Sequence, residues 1–289
     1  MTTPTGETDG AGVGPNWVGA RAMAGGKGYV SGTLGQVHYR EVGSRGRVPF
    51  LLIHQTPIGF AQFVDVQPEL ALAGRCSIAV DNPGYGFSDP LTRPVTIVEL
   101  ADHLDSACAR LQLPHVIVVG HHTGAAIAAA FAARHPSRTA GLVMHGTPLY
   151  DARERAERLA RPPANLVLSE DGSHLASIFR AVGQHAGIDA QTLTSVTWAT
   201  LGTYLAGASS PVYTAVFSND MTSDIEAVKA PTLILTDRGD VLHAADRRVK
   251  EMRPDFELRE FSTGGSFALM REPRRWAREL LAFADARGL

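Results

Sequence analysis

Short runs that are apolar on both faces constrain this chain more than any other feature. They are VPFLLIHQTP (48–57), CSIAVD (76–81), HVIVVG (115–120), GLVMHG (141–146), PTLILTD (231–237) and FELREF (256–261). A sheet with one wet face alternates apolar and polar residues, whereas strands covered on both faces read as unbroken Val/Ile/Leu stretches. A mostly parallel central sheet flanked by helices is therefore expected, with YVSGTLG and QVHYREVG (29–43) adding one or two strands ahead of it. The intervening segments supply the helices. Thr96 and Glu99 form a capping box, and Ile97, Leu100, Ala101, Leu104, Ala107, Cys108 and Leu111 recur at helical spacing, so 97–111 is an amphipathic helix. Trp276, Ala277, Leu280, Phe283 and Ala284 repeat the pattern within 273–286. Strand and helix in alternation is the doubly wound α/β plan.

One interval breaks the rhythm. Residues 149–225 contain helical patterns (DARERAERLA, GSHLASIFRAVGQHA, DAQTLTSVTWATLGTYLAG) and no buried strand, yet the sheet pattern resumes after them. An insertion at a strand's carboxyl end overhangs the crevice where such sheets bind ligands, so 149–225 is expected to be a helical lid. The core is then 26–148 together with 226–289, and residues 1–25, rich in Gly and Thr, are expected to be a disordered leader.

Charge and composition exclude several functions. With 27 basic and 29 acidic residues and no cluster of either sign, no field draws in nucleic acid or a membrane surface. The start of the chain lacks a signal-peptide pattern, and no run of about 18 apolar residues occurs. A cytoplasmic protein is expected, compatible with a homodimer, with a small molecule as its partner. Cys76 and Cys108 lie in apolar periodic segments and read as reduced core thiols. Neither a Rossmann G-x-G-x-x-G nor a P-loop is present, so no cofactor is expected.

The chemistry-bearing motif is VVGHHTGAAIAA (118–129), a β-branched run ending in glycine, a sharp turn, then small residues that start a helix. Three further stretches accompany it in order: His54-Gln55-Thr56-Pro57, then Asp81-Asn82-Pro83-Gly84-Tyr85-Gly86-Phe87-Ser88-Asp89, and Pro231 to Asp240. Over residues 30–286 the chain resembles the α/β-hydrolase family. The four stretches match its H-G-x-P oxyanion loop, its D-x-P-G-x-G-x-S-D turn, its G-x-S-x-G nucleophile elbow and its acid-bearing strand. The resemblance implies a nucleophile at the elbow, an acid after the seventh strand and a histidine before the last helix, and the 149–225 lid is then inserted after the sixth strand.

The chain departs from that pattern at the chemistry. The elbow position is His122, the acid position is Asp240, and the family histidine is replaced by Ser266. A serine hydroxyl is too weakly basic to replace the histidine, which removes a covalent serine-type mechanism. An imidazole at the elbow reaches further than a serine, into the space the family histidine would fill. His122 is therefore expected to be a general base oriented by Asp240, directly or through Ser266 or a water. The resemblance assigns the oxyanion donors to the backbone amides of Gln55 and Thr123. Alignment on Pro231 favours Asp240 over Asp237 as the acid.

Other residues are candidates for the substrate pocket: His54, His145, Trp198, Tyr204, Tyr213, His243 and Ser266. His121 is expected to pack beneath the elbow. Eleven histidines raise the question of a metal, but no H-x-x-x-H or H-x-H spacing occurs and adjacent elbow residues diverge, so none is expected. The expected function is a cofactor-independent hydrolase of a small, largely apolar ester, lactone or polyketide-like carbonyl compound. The alternatives are a lyase or cyclase working by proton abstraction, and a catalytically dead small-molecule-binding protein.

Overall fold

The computed structural model describes residues 26–161, 169–183, 211–262 and 265–289, with isolated positions at 190, 193, 194, 197 and 200. Eight strands form one sheet in the order β1-β2-β4-β3-β5-β6-β7-β8. The strands are β1 (Lys27–Gly32), β2 (Gly35–Val42), β3 (Phe50–Ile53), β4 (Ser77–Val80), β5 (Val116–His121), β6 (Thr139–His145), β7 (Thr232–Asp237) and β8 (Glu257–Phe261). β1, β2 and β4 pair antiparallel, and every pairing from β4 onward is parallel.

Successive side chains of the central strands point to opposite faces and feed two separate cores. Leu51, Ile53, Val116, Val118, Leu142 and Met144 pack with helices α2 (Ile97–Arg110), α3 (Thr123–Arg134) and α8 (His243–Met252). Phe50, Leu52, Ile117, Val119 and Val143 pack with α1 (Val66–Leu72) and α10 (Pro273–Asp285), through Leu70, Trp276, Leu280 and Phe283. Continuous apolar strands thus follow from a sheet covered on both sides. α2 begins at the expected capping box: the Glu99 amide donates to Thr96 Oγ1 at 3.1 Å, and the Thr96 amide to Glu99 Oε2 at 2.9 Å. Both cysteines are buried and unbridged.

Between β6 and β7 the described residues form helices and no strand: α4 (Ala152–Leu159), α5 (Ser173–Gly183), α6 (Pro211–Ser218) and α7 (Thr222–Ala227). A short helix, α9 (Ala268–Arg271), precedes α10. Among the described residues no helix is long and apolar enough to cross a membrane.

Candidate active site

The elbow is built by close backbone approach. His122 sits between β5 and α3 at φ 49° and ψ −112°, a left-handed conformation that a side chain adopts only under strain. A Cβ on Gly120 would run into the Gly124 carbonyl, and one on Gly124 into the Ile53 carbonyl, so the turn closes only with glycine at both positions. The His122 amide donates to the His145 carbonyl at 2.8 Å, tying the elbow to the end of β6.

His122 Nε2 lies 2.8 Å from Asp240 Oδ2, with no intervening group. Asp240 Oδ1 accepts from the Leu242 amide at 2.7 Å. Burial alone would raise the Asp240 pKa. The His122 ring, with His145 and the Leu242 amide, outweighs that and holds it down at about 2. The ionised carboxylate accepts, so the proton of neutral His122 sits on Nε2 and the lone pair on Nδ1. Nδ1 has no partner among the described residues, and the side chain keeps 16% exposure. Asp237 instead accepts from the Gly239 amide at 2.8 Å, within its own turn.

His122 borders a cavity of about 400 Å³ whose wall also includes Gln55, Thr123, Tyr150, Tyr213 and Ser266. Tyr213 donates its hydroxyl to the Thr56 carbonyl at 3.1 Å. Trp198 and Tyr204 lie outside the described residues. The Thr123 amide opens α3 and has no helical acceptor, as first-turn amides do not. Gln55 differs from expectation: its amide donates to Gln62 Oε1 at 2.9 Å, so this donor is already engaged. The Gln55 side-chain Oε1 is buried without a partner.

Three histidines expected at the pocket are placed elsewhere. His54 is fully buried, with Nδ1 bonded to the Gln55 carbonyl at 2.8 Å and Nε2 accepting from the Asn82 amide at 2.8 Å. Both nitrogens hold the oxyanion loop to the turn after β4, leaving none for substrate. His145 is buried behind the elbow, where Nδ1 accepts from Trp276 Nε1 at 2.9 Å. His243 begins α8 with Nδ1 3.1 Å from Thr236 Oγ1 and Nε2 3.6 Å from Glu260, away from the cavity wall. Strand ends converge on the crevice, but side chains alternate across the sheet, so position along a strand did not fix direction.

His121 lies under the elbow as expected, its ring stacked on His122 at 4.4 Å between centroids. One ligand-type atom each from His121, His145 and Asp240 lies within 4.8 Å of the others, a spacing a metal could span. The hydrogen bonds argue against that use. Gln62 Oε1 is fixed as acceptor by the Gln55 amide, so Gln62 Nε2 donates to His121 Nδ1 at 2.7 Å. Trp276 Nε1 can only donate, so His145 Nδ1 also accepts. Burial pushes His121 well below the usual imidazole range and His145 down to about 4. Both rings are then neutral with the proton on Nε2, and neither offers that nitrogen's lone pair to an ion. Gln62 and Trp276 were not legible as site residues, because each acts through a partner distant in sequence.

The family model described as alpha/beta hydrolase fold matches residues 48–180. A juvenile hormone epoxide hydrolase of Bombyx mori is 35% identical over 101 residues, 32% of this chain and 22% of that protein. A 2-hydroxymuconate semialdehyde hydrolase of Pseudomonas sp. (strain CF600) is 33% identical over 103 residues, 34% of this chain and 36% of that protein. The matched stretches thus span about a fifth to a third of these relatives' lengths. Among solved structures, the enol-lactonase from Burkholderia xenovorans LB400 superposes with a TM-score of 0.72 at 16% identity, covering 89% of this chain and all of that one.

Proposed function

Because the chain is an α/β-hydrolase-fold protein, we propose that it is an enzyme acting without a cofactor on a small carbonyl compound, with His122 as general base. The observation that carries this reading is the 2.8 Å bond between His122 Nε2 and Asp240 Oδ2, which leaves the Nδ1 lone pair without a partner among the described residues, on a ring that borders the cavity. In hydrolysis, a water oxygen bonds to the carbonyl carbon while Nδ1 takes the water's proton. The resulting imidazolium lies against ionised Asp240, and it returns the proton to the leaving oxygen as the carbon–oxygen bond breaks. The Thr123 amide stabilises charge on the carbonyl oxygen in this reading. The helices between β6 and β7 contribute Tyr213, Val216 and Phe217 to the cavity wall, which supports their reading as a lid. Relatives named for acting on an epoxide, a semialdehyde and an enol-lactone support a small substrate.

A second reading is favoured by one observation. The Gln55 amide is engaged by Gln62, so only one of the two expected backbone donors is free. Removal of an acidic C–H or O–H proton by His122, in a lyase or cyclase step, asks less of an oxyanion hole.

The test is turnover of a panel of small esters, lactones and enolisable ketones by wild type and His122→Gln. Multiple turnover is expected, with a loss on the order of a hundred- to ten-thousand-fold in the variant. One equivalent of ligand bound and released unchanged would sink the reading.

A further inference from the structure

Arg158 closes α4 and borders the same cavity as His122. Its guanidinium lies 4.0 Å from the Tyr150 ring centroid and 5.7 Å from that of Phe217. These two rings, 6.0 Å apart, also belong to the cavity wall, and they hold the cation against it. The other charged residues of α4 are matched. Arg153 pairs with Glu157 at 3.5 Å, Arg155 with Asp220 at 3.3 Å, and Glu154 with Arg248 at 3.1 Å. Arg158 has no ion pair or hydrogen bond among the described residues, and its Nε is buried without an acceptor.

Among the described residues no aspartate or glutamate lines the cavity, so that part of the wall offers this cation no counter-charge. A guanidinium partly withdrawn from water and left unpaired is unfavourable, and its planar fork matches a carboxylate. We propose that Arg158 is a specificity-determining residue that binds a carboxylate on the substrate. The substrate is then a small carbonyl compound carrying a carboxylate, its reacting carbon at His122 and its anionic end at Arg158. This deepens the functional reading above and rests on it for the reacting end, while the binding claim stands on its own.

Calorimetric titration with 3-phenylpropanoate and its amide, at pH 8, tests it without requiring turnover. Wild type and His122→Ala are expected to bind the carboxylate at least about tenfold more tightly than the amide. Arg158→Gln should bring the ratio near one, and Arg158→Lys, which keeps the charge, should retain part of it. Wild type that binds the carboxylate no better than the amide, or not at all, overturns the proposal. So does a preference that survives in Arg158→Gln, or one that vanishes in His122→Ala, which would put the anion on the imidazole. Loss of ester turnover in His122→Gln is read separately, so the two readings can fail independently.

Discussion

Asp240 Oδ2 and His122 Nε2 meet at 2.8 Å across 118 residues of sequence. The carboxylate is buried, so the ring nitrogen is its principal compensation, and the loop after β7 and the elbow after β5 are held in one geometry.

Asp240→Asn should remove that control. An asparagine amide can donate to Nε2, which moves the ring proton to Nδ1 and takes the lone pair from the cavity. Turnover is expected to fall by up to about ten-thousand-fold with the fold retained, read from kcat alongside circular dichroism.

Acid should destabilise the protein through the same carboxylate. Its pKa is about 2 in the folded state, below the ordinary aspartate range, so the folded state binds fewer protons. The stabilisation, about 2 kcal/mol, is present above roughly pH 4 and is lost as pH falls towards 2. Urea denaturation at pH 2 to 5 should show this slope in wild type and a shallower one in Asp240→Asn.

Asp246 should act in the opposite sense. Burial pushes its pKa up to about 7, against the Thr147 amide that donates to Oδ1 at 2.7 Å and the Thr236 hydroxyl. A raised folded pKa means the folded state holds the proton longer, so stability is highest below about pH 4 for this group and declines as pH rises through 7. Thermal unfolding of Asp246→Asn should depend less on pH between 5 and 8 than wild type. An unchanged slope would show that another group titrates there.

Gly146, directly after β6, faces the His122 imidazole so closely that a Cβ would strike Cδ2 and Nε2. Its φ of 66° also disfavours any side chain. Gly146→Ala should lose about 1 kcal/mol or more of stability and displace the ring from Asp240, lowering turnover at least about tenfold. Measured kcat and chemical denaturation separate the two effects.

Trp276→Phe leaves His145 Nδ1 without the one donor it has among the described residues, in a fully buried layer. An unpaired buried acceptor costs about 1–3 kcal/mol, which equilibrium urea unfolding would register.

Residue order alone sets the backbone plan. Apolar runs on both faces require a covered parallel sheet, and glycines at 120 and 124 permit an elbow that other residues would block. It also determined that the elbow carries His122 rather than a hydroxyl and that position 266 holds no base. These are local properties, set by spacing and by what each residue type can do. Only the folded arrangement sets which way each polar atom points. It spends both nitrogens of His54 on the oxyanion loop, turns His145 towards Trp276, closes the Gln55 amide with Gln62 and leaves Arg158 facing a cavity with no counter-charge among the described residues of its wall. A hydrogen bond needs its partner within about 3 Å. Those partners lie on other strands and helices, brought near only when the sheet and its covering layers assemble.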